Sequence, residues 1–306
     1  MSLKSPATAM MAAVVIVAVF GCIAIELPAL GAGGLLHPAR HRAEIPTPRQ
    51  CTDATFAGAD VTLRGWRCTT TILPRRGTVV YLHGVSDNRG SAAGLIPRFL
   101  SRGFEVIAYD SRAHGDSGGD ACTYGFFEKQ DLHHVLDTVR PGPIVLIGTS
   151  LGAAIALQEA ADDPRVTAVV AAETFSDLRT IATERAPRFF TRSAIERAFR
   201  LAEREAHFST DAVSPEQAAT RIAVPVLLIH GAADIDTPPA HSQRVFAALR
   251  GPKRLILVTG AGHNGSLRPD VWNEIASWIE RAVPAVENPS ANGAAAAQQG
   301  PRGGRS

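Results

Sequence analysis

The stretch Ile144–Ala161, IVLIGTSLGAAIALQEAA, decides the fold. It begins as an unbroken apolar run, the pattern of a strand buried on both faces. From Leu151 onward it becomes a small-residue helical pattern. Between the two stands Gly148-Thr149-Ser150-Leu151-Gly152, a serine set between glycines. A strand that turns at once into a helix leaves little room, so small residues must flank the turn. The turn lifts the hydroxyl of Ser150 out of the sheet and over a helix N-terminus, where a developing negative charge is favoured. A G-x-S-x-G string alone occurs by chance; the strand before it and the helix after it give it meaning.

Working outward, strands and helices alternate. Strands are expected at 61–67, 78–82, 105–109, 144–148, 166–171, 226–230 and 255–258. Helices are expected at 91–101, 125–138, 151–161, 241–249 and 271–281. Strands apolar on both faces, alternating with helices, imply a mostly parallel central sheet flanked by helices, an α/β fold. Ligands of such sheets bind at the carboxyl ends of the strands. One region, about 173–222, is longer than a simple crossover. Ser193-Ala194-Ile195-Glu196 matches a capping box and starts a helix whose apolar side is Ile195, Ala198, Phe199 and Ala202. This insertion is expected to form a small helical cap over the strand ends.

A serine hydroxyl needs a base to become a nucleophile. The remaining parts follow in the order acid, then histidine. VPVLLIHGAADIDTPP places Asp234 just past one strand, and LILVTGAGHNGS places His263 in a Gly-rich loop past the next. Asp234 would hold the His263 imidazole in the right tautomer, and His263 would take the proton of Ser150. Asp236, two residues on, is a direct rival for the acid, and Asp177 a more distant one. The loop YLHGVSDNRG follows the strand 78–82, and the backbone N–H groups of Val85 and Leu151 are the expected oxyanion donors. His83 reads as a residue that shapes this loop.

On LHGVSDNRG, YDSRAHGDSGGDACTYGFFEKQDL, GTSLG, HGAADIDTPP and GAGHN, the chain resembles the α/β-hydrolase superfamily over roughly residues 54–283. It is similar to the monoacylglycerol-lipase-like and serine-aminopeptidase-like branch. That branch commonly has Arg-Gly-His-Gly where this chain has Arg112-Ala113-His114-Gly115, so the turn there carries an extra methyl. The resemblance implies an α/β-hydrolase fold and hydrolysis through an acyl-serine intermediate, with no cofactor and no metal. It does not identify a substrate. A carboxylic ester or thioester is expected, lipid-like esters included. The alternatives are a peptidase of the serine-aminopeptidase type, with Glu173 or Glu184 gripping a free amine, and a catalytically silent, membrane-tethered binding protein. Relatives that carry aspartate at the turn, haloalkane dehalogenases and epoxide hydrolases, are disfavoured by Ser150.

The rest of the chain bounds the function. Of 306 residues, 20% are charged and the net charge is +2, with no dense basic block, which argues against a nucleic-acid partner. Only 6% are aromatic, too few for a platform that stacks bases. The run Ala9–Ile25 is almost wholly apolar and reads as an N-terminal membrane anchor in preference to a cleaved signal peptide. The expected organisation is therefore an anchor or signal at 1–30, a linker at 31–50, the hydrolase domain at 51–285 and a disordered tail at 286–306. A catalytic domain outside the cytoplasm is expected. Cys51 and Cys68 flank a hairpin pattern and either form a disulfide or remain two small apolar residues; Cys122 is left over. His133 and His134 point about 100° apart on a helix, which does not suit one metal ion. The arginines at 185, 188, 192, 197 and 200 read as a solvated face balanced by Glu184, Glu196 and Glu203.

Overall fold

A computed structural model describes residues 26–284. The run Ala9–Ile25 and the tail after 284 lie outside the described residues, and no described helix is long and apolar enough to cross a membrane.

The strands are β1 (Cys51–Ala57), β2 (Thr62–Cys68), β3 (Gly77–Leu82), β4 (Phe104–Tyr109), β5 (Ile144–Thr149), β6 (Val166–Ala172), β7 (Val226–Gly231) and β8 (Lys253–Val258). They form one sheet in the order β1-β2-β4-β3-β5-β6-β7-β8. β1 and β2 run antiparallel, β2 meets β4 antiparallel, and every pairing from β4 to β8 is parallel. Period-two alternation divides the strand residues between two cores. Val80, Leu82, Leu146, Val169 and Leu228 face one, with α3 (Glu128–Asp137), α4 (Leu151–Ala160) and α8 (Ala240–Ala248). Val79, Tyr81, Ile147, Val170 and Ile229 face the other, with α2 (Ile96–Leu100) and α9 (Pro269–Ala282). All ten residues of α4 are buried, which its glycines and alanines permit by letting the helix lie close to the sheet.

The cap insertion carries α5 (Leu178–Arg185), α6 (Arg192–Ala206) and α7 (Pro215–Ala219). The start of α6 differs from the expected capping box. Thr191 is the cap, its hydroxyl accepting from the Ala194 amide at 3.2 Å. Ser193 falls inside the first turn, and the Glu196 carboxylate pairs with Arg179 of α5 at 2.5 Å instead of turning back on the helix end. The expected helix 91–101 is a 3₁₀ segment, Arg89–Gly94, followed by α2, which restarts with Pro97 in its first turn.

The expected linker 31–50 also differs. Residues 26–36 are helical, and this element is α1. Ala32 and Leu36 are buried beside Phe175, Leu178, Ala202 and Phe208 of the cap region. The Gly, Pro and Arg content of 27–50 suggested an unpacked connection, but the spacing of Ala32 and Leu36, four apart, sets both on one helix face. The amide of Cys122 donates to the Leu36 carbonyl at 2.8 Å, so the helix end is fixed to the body of the fold. Across the first hairpin, Cys51 and Cys68 are direct partners in register and are joined by a disulfide. Cys122 is free and buried.

Candidate active site

Ser150 sits between β5 and α4 at φ 48° and ψ −109°, a conformation an L-residue adopts only under local compulsion. The neighbouring glycines explain how the turn closes. A Cβ on Gly148 would lie 2.2 Å from the Gly152 carbonyl oxygen, and one on Gly152 would lie 2.2 Å from that of Leu82. The Ser150 amide donates to the Ala172 carbonyl at 2.8 Å, which ties the turn to the end of β6.

The structure brings Ser150, His263 and Asp234 together from three different strand ends. The Ser150 hydroxyl lies 3.2 Å from His263 Nε2, and His263 Nδ1 lies 2.7 Å from Asp234 Oδ2. Asp234 is itself held: its Oδ1 accepts from the amides of Asp236 at 3.0 Å and Thr237 at 2.8 Å. His230, fully buried on β7, bridges Ser242 and the Thr237 carbonyl and so fixes the loop that bears Asp234. The rival acids lie elsewhere. Asp236 contributes its backbone amide to Asp234 and lines the cleft. Asp177 caps α5 by accepting from the Thr180 amide at 2.8 Å.

The loop after β3 closes the other side. A Cβ on Gly84 would stand 3.6 Å from that of Ser150, so the chain here passes directly beside the hydroxyl. Among the described residues, neither the Val85 nor the Leu151 amide donates a backbone hydrogen bond to a neighbouring turn or loop. Leu151 is the first residue of α4, where amides have no partner within the helix. His83 is fully buried, sits 2.7 Å from the Gly84 carbonyl through Nδ1, and accepts from the Ser111 amide at 3.0 Å through Nε2. Burial lowers its pKa and keeps it neutral. It shapes the loop, as its place before the turn suggested. At the extra methyl, Ala113 adopts φ 60°, the left-handed region where glycine is at ease, while Gly115 leaves room for the Asp110 carboxylate.

Glu173 plays a different part from the one weighed for it. It follows β6 at φ 57° and is 2% exposed. Its two oxygens accept from the Asn264 amide at 2.5 Å and the Ser266 amide at 3.1 Å, in the turn that directly follows His263. Its Oε2 stands 3.9 Å from His263 Nδ1. Glu184, by contrast, accepts from His241 Nε2 at 2.9 Å. Sequence signals for this use of Glu173 were slight, since only its position just beyond a strand marked it. Arg185 of the cap was also missed: it donates to the Asp236 carbonyl at 2.8 Å and to Thr237 Oγ1 at 2.6 Å, joining α5 to the acid loop.

Two groups among the described residues could offer ligand atoms to a metal: Glu173 with Asp234 and His263, and His133 with Glu159 and Asp163. Neither donor set suits a cation. In the first, backbone N–H groups point at the Glu173 and Asp234 oxygens. In the second, the Arg165 guanidinium lies 2.6 Å from Asp163.

The cleft over Ser150 has a volume of about 960 Å³ and is lined by Val85, Asp87, Glu184, Arg185, Ile235 and His263 among others. The arrangement presents a hydroxyl, a base and an oriented acid at one open cleft, a combination suited to acyl transfer.

A profile described as "Alpha/beta hydrolase family" matches residues 79–275. The chain is 27% identical over 231 residues to the uncharacterized protein YfhR of Escherichia coli, covering 71% of this chain and 75% of that one. It is 30% identical over 203 residues to the uncharacterized protein YqkD of Bacillus subtilis, covering 61% of this chain and 64% of that one. In fold it is similar to the Pyrococcus furiosus esterase Pf2001, with a TM-score of 0.65 and 23% identity over 80% of this chain and 98% of that one.

Proposed function

The chain belongs to the alpha/beta hydrolase family, and from that premise we propose that it is a serine hydrolase cleaving a carboxylic ester or thioester through an acyl-serine intermediate. The observation that carries the proposal is the continuous line from Ser150 to His263 at 3.2 Å and on to Asp234 at 2.7 Å, with the serine on a strained turn at the start of α4. Ser150 Oγ attacks the carbonyl carbon while His263 Nε2 takes its proton. Asp234 stabilises the resulting imidazolium, and the Val85 and Leu151 amides receive the oxyanion. The tetrahedral intermediate collapses, the bond to the leaving alkoxide or thiolate breaks, and His263 returns the proton to it. Water, deprotonated by His263, then releases the acid and restores Ser150.

An ester is favoured over an N-terminal peptide because Glu173, the buried carboxylate beside His263, has both oxygens engaged by the Asn264 and Ser266 amides. Glu184 lines the cleft with one oxygen on His241, and faster turnover of an N-terminal aminoacyl substrate than of an ester would favour the peptidase. The chain is further proposed to be tethered through Ala9–Ile25 with its catalytic domain outside the cytoplasm. The apolar run and the Cys51–Cys68 disulfide support this, because such bridges persist in oxidising compartments. Retention in the membrane fraction after an alkaline carbonate wash checks the tether; release into the wash would overturn it.

The activity is tested by fluorophosphonate labelling of the full chain together with hydrolysis of p-nitrophenyl esters. Labelling and turnover that disappear in Ser150→Ala are expected. A folded wild-type chain that neither labels nor turns over any ester would leave a binding protein of the same fold as the better account.

A further inference from the structure

A second cavity, of about 600 Å³, opens between α1 and the cap. Leu27, Leu30 and Gly34 of α1 form one wall, and Ile181, Phe190 and Ile195 form the facing one. It meets the catalytic cleft along a shared edge, since Val85, Ser86 and Arg185 line both. The Arg185 guanidinium on that edge keeps its charge but is held toward the acid loop by the Asp236 carbonyl and Thr237, at the mouth the cavity shares with the cleft. A polar ligand would lose its water hydrogen bonds here and find few partners, whereas a hydrocarbon would only gain.

The α1 wall is built into the fold. One side buries Ala32 and Leu36 in the core shared with the cap. A Cβ on Gly31 would come within 3.0 Å of Ala198 and 3.1 Å of the Phe190 ring, so the helix lies directly against α6 and the turn before it. The Tyr124 hydroxyl donates to the Leu35 carbonyl at 3.1 Å, and His37 bridges the Asp120 carbonyl and Glu205 at 2.8 and 2.7 Å. The rim is apolar as well: Leu30 is 66% and Phe189 68% exposed. In sequence α1 follows directly on the apolar run Ala9–Ile25.

We propose that this chamber receives the hydrocarbon chain of the acyl group, running past Val85 while the carbonyl rests at Ser150, and that α1 is a wall that selects chain length. The substrate class is then an ester of a medium or long fatty acid. The inference rests on the serine-esterase reading for its catalytic half, while the chamber itself can be examined without turnover. Each methylene buried adds about fourfold in affinity, so an optimum well above acetate is expected.

The test uses the full chain in two assays. The first is kcat/KM for p-nitrophenyl acetate, butyrate, octanoate and dodecanoate in wild type, Ala182→Phe and Gly34→Phe. Ala182 lines the chamber on the cap side, and a side chain at Gly34 meets nothing within 4 Å of its Cβ. The second is displacement of a fluorescent 12-carbon fatty acid by dodecanoate from Ser150→Ala, which needs no chemistry. Wild type should prefer octanoate or dodecanoate to acetate by at least about tenfold. Ala182→Phe should erase that preference with acetate turnover retained, and should weaken dodecanoate binding when combined with Ser150→Ala. Gly34→Phe should shift the optimum to shorter chains, which separates the α1 wall from any folding defect at the cap. Ser150-dependent turnover with no chain-length preference, unchanged by either variant, would overturn the chamber and leave the esterase standing. Dodecanoate binding that Ala182→Phe removes, without Ser150-dependent hydrolysis of any ester, would overturn the esterase reading and the acyl-donor role, leaving a hydrocarbon site.

Discussion

Two aspartates two residues apart show how much a single backbone turn decides. Asp234 points both oxygens inward, one to His263 and one to its own loop amides, whereas Asp236 supplies one of those amides. Asp234→Asn should lower kcat by about 10⁴-fold by favouring the wrong imidazole tautomer. Asp236→Asn should change kcat by no more than about threefold, because only its main chain serves the acid, which a backbone group does regardless of side chain. Steady-state kinetics on a short ester separates the two; equal losses would mean the acid is misassigned. Glu173 is the residue whose part was least expected. Glu173→Gln keeps one acceptor for the His263 loop but turns an N–H donor toward the other amide. The loop should shift, lowering kcat by up to about 100-fold with KM nearly unchanged. A rise in KM alone would point instead to substrate contact. Gly152 is demanding for another reason, since a methyl there meets the Leu82 carbonyl at 2.2 Å. Gly152→Ala should reduce the unfolding free energy by about 3 kcal/mol or more, measured by urea denaturation followed by circular dichroism.

At the scale of elements, α4 carries a buried acid behind the nucleophile. Glu159 is 3% exposed, and burial, then the neighbouring Asp163 carboxylate, push its pKa up to about 8. The folded protein therefore holds this proton more tightly than the unfolded chain. The stabilisation is fully present below the ordinary value of 4.5 and is lost as pH rises through about 8. Wild type should lose a few degrees of Tm between pH 6 and pH 9, and Glu159→Gln, which cannot ionise, should lose less. Equal slopes in the two proteins would show that other groups govern the alkaline limb. The α1 helix has its own anchor in His37, whose pKa is raised by the Asp120 carbonyl and then by Glu205. That contact is exposed, so it steadies one helix end and does not hold the fold.

For the whole molecule, the disulfide ties the edge hairpin, β1 to β2, across a sequence separation of 17. A loop of this size should contribute about 3 kcal/mol, chiefly by restricting the unfolded chain. Cys51→Ser with Cys68→Ser should lower Tm, and reductant should lower it in wild type but not in the double variant. The remaining thiol, Cys122, is buried and should not respond. The edge is remote from Ser150 in strand order, so ester hydrolysis below the new Tm should be unchanged.

Much of this was legible in the residues themselves. The inner strands β3 to β7 are largely apolar because parallel strands are covered on both faces, and that burial is a local property of sequence. The turn at Ser150 was equally legible, because only glycine fits where Gly148 and Gly152 meet backbone atoms. The order serine, acid, histidine came from strand ends, whose positions along the chain mark the rim of the sheet. What only the tertiary structure decided were relations between distant segments. Which of Asp234 and Asp236 faces His263 depends on the course of one turn, and both are aspartates in the same short string. Whether Glu173 grips a substrate or the His263 loop depends on where residues 264–266 pass, about 90 positions away, as its hydrogen bonds span. Residues 31–36, the inner part of the 26–36 helix, read as the start of a linker because Gly31, Gly33 and Gly34 outweigh a short apolar spacing. They are a helix because the cap offers an apolar face for Ala32 and Leu36, and most helical stability comes from such packing and not from propensity.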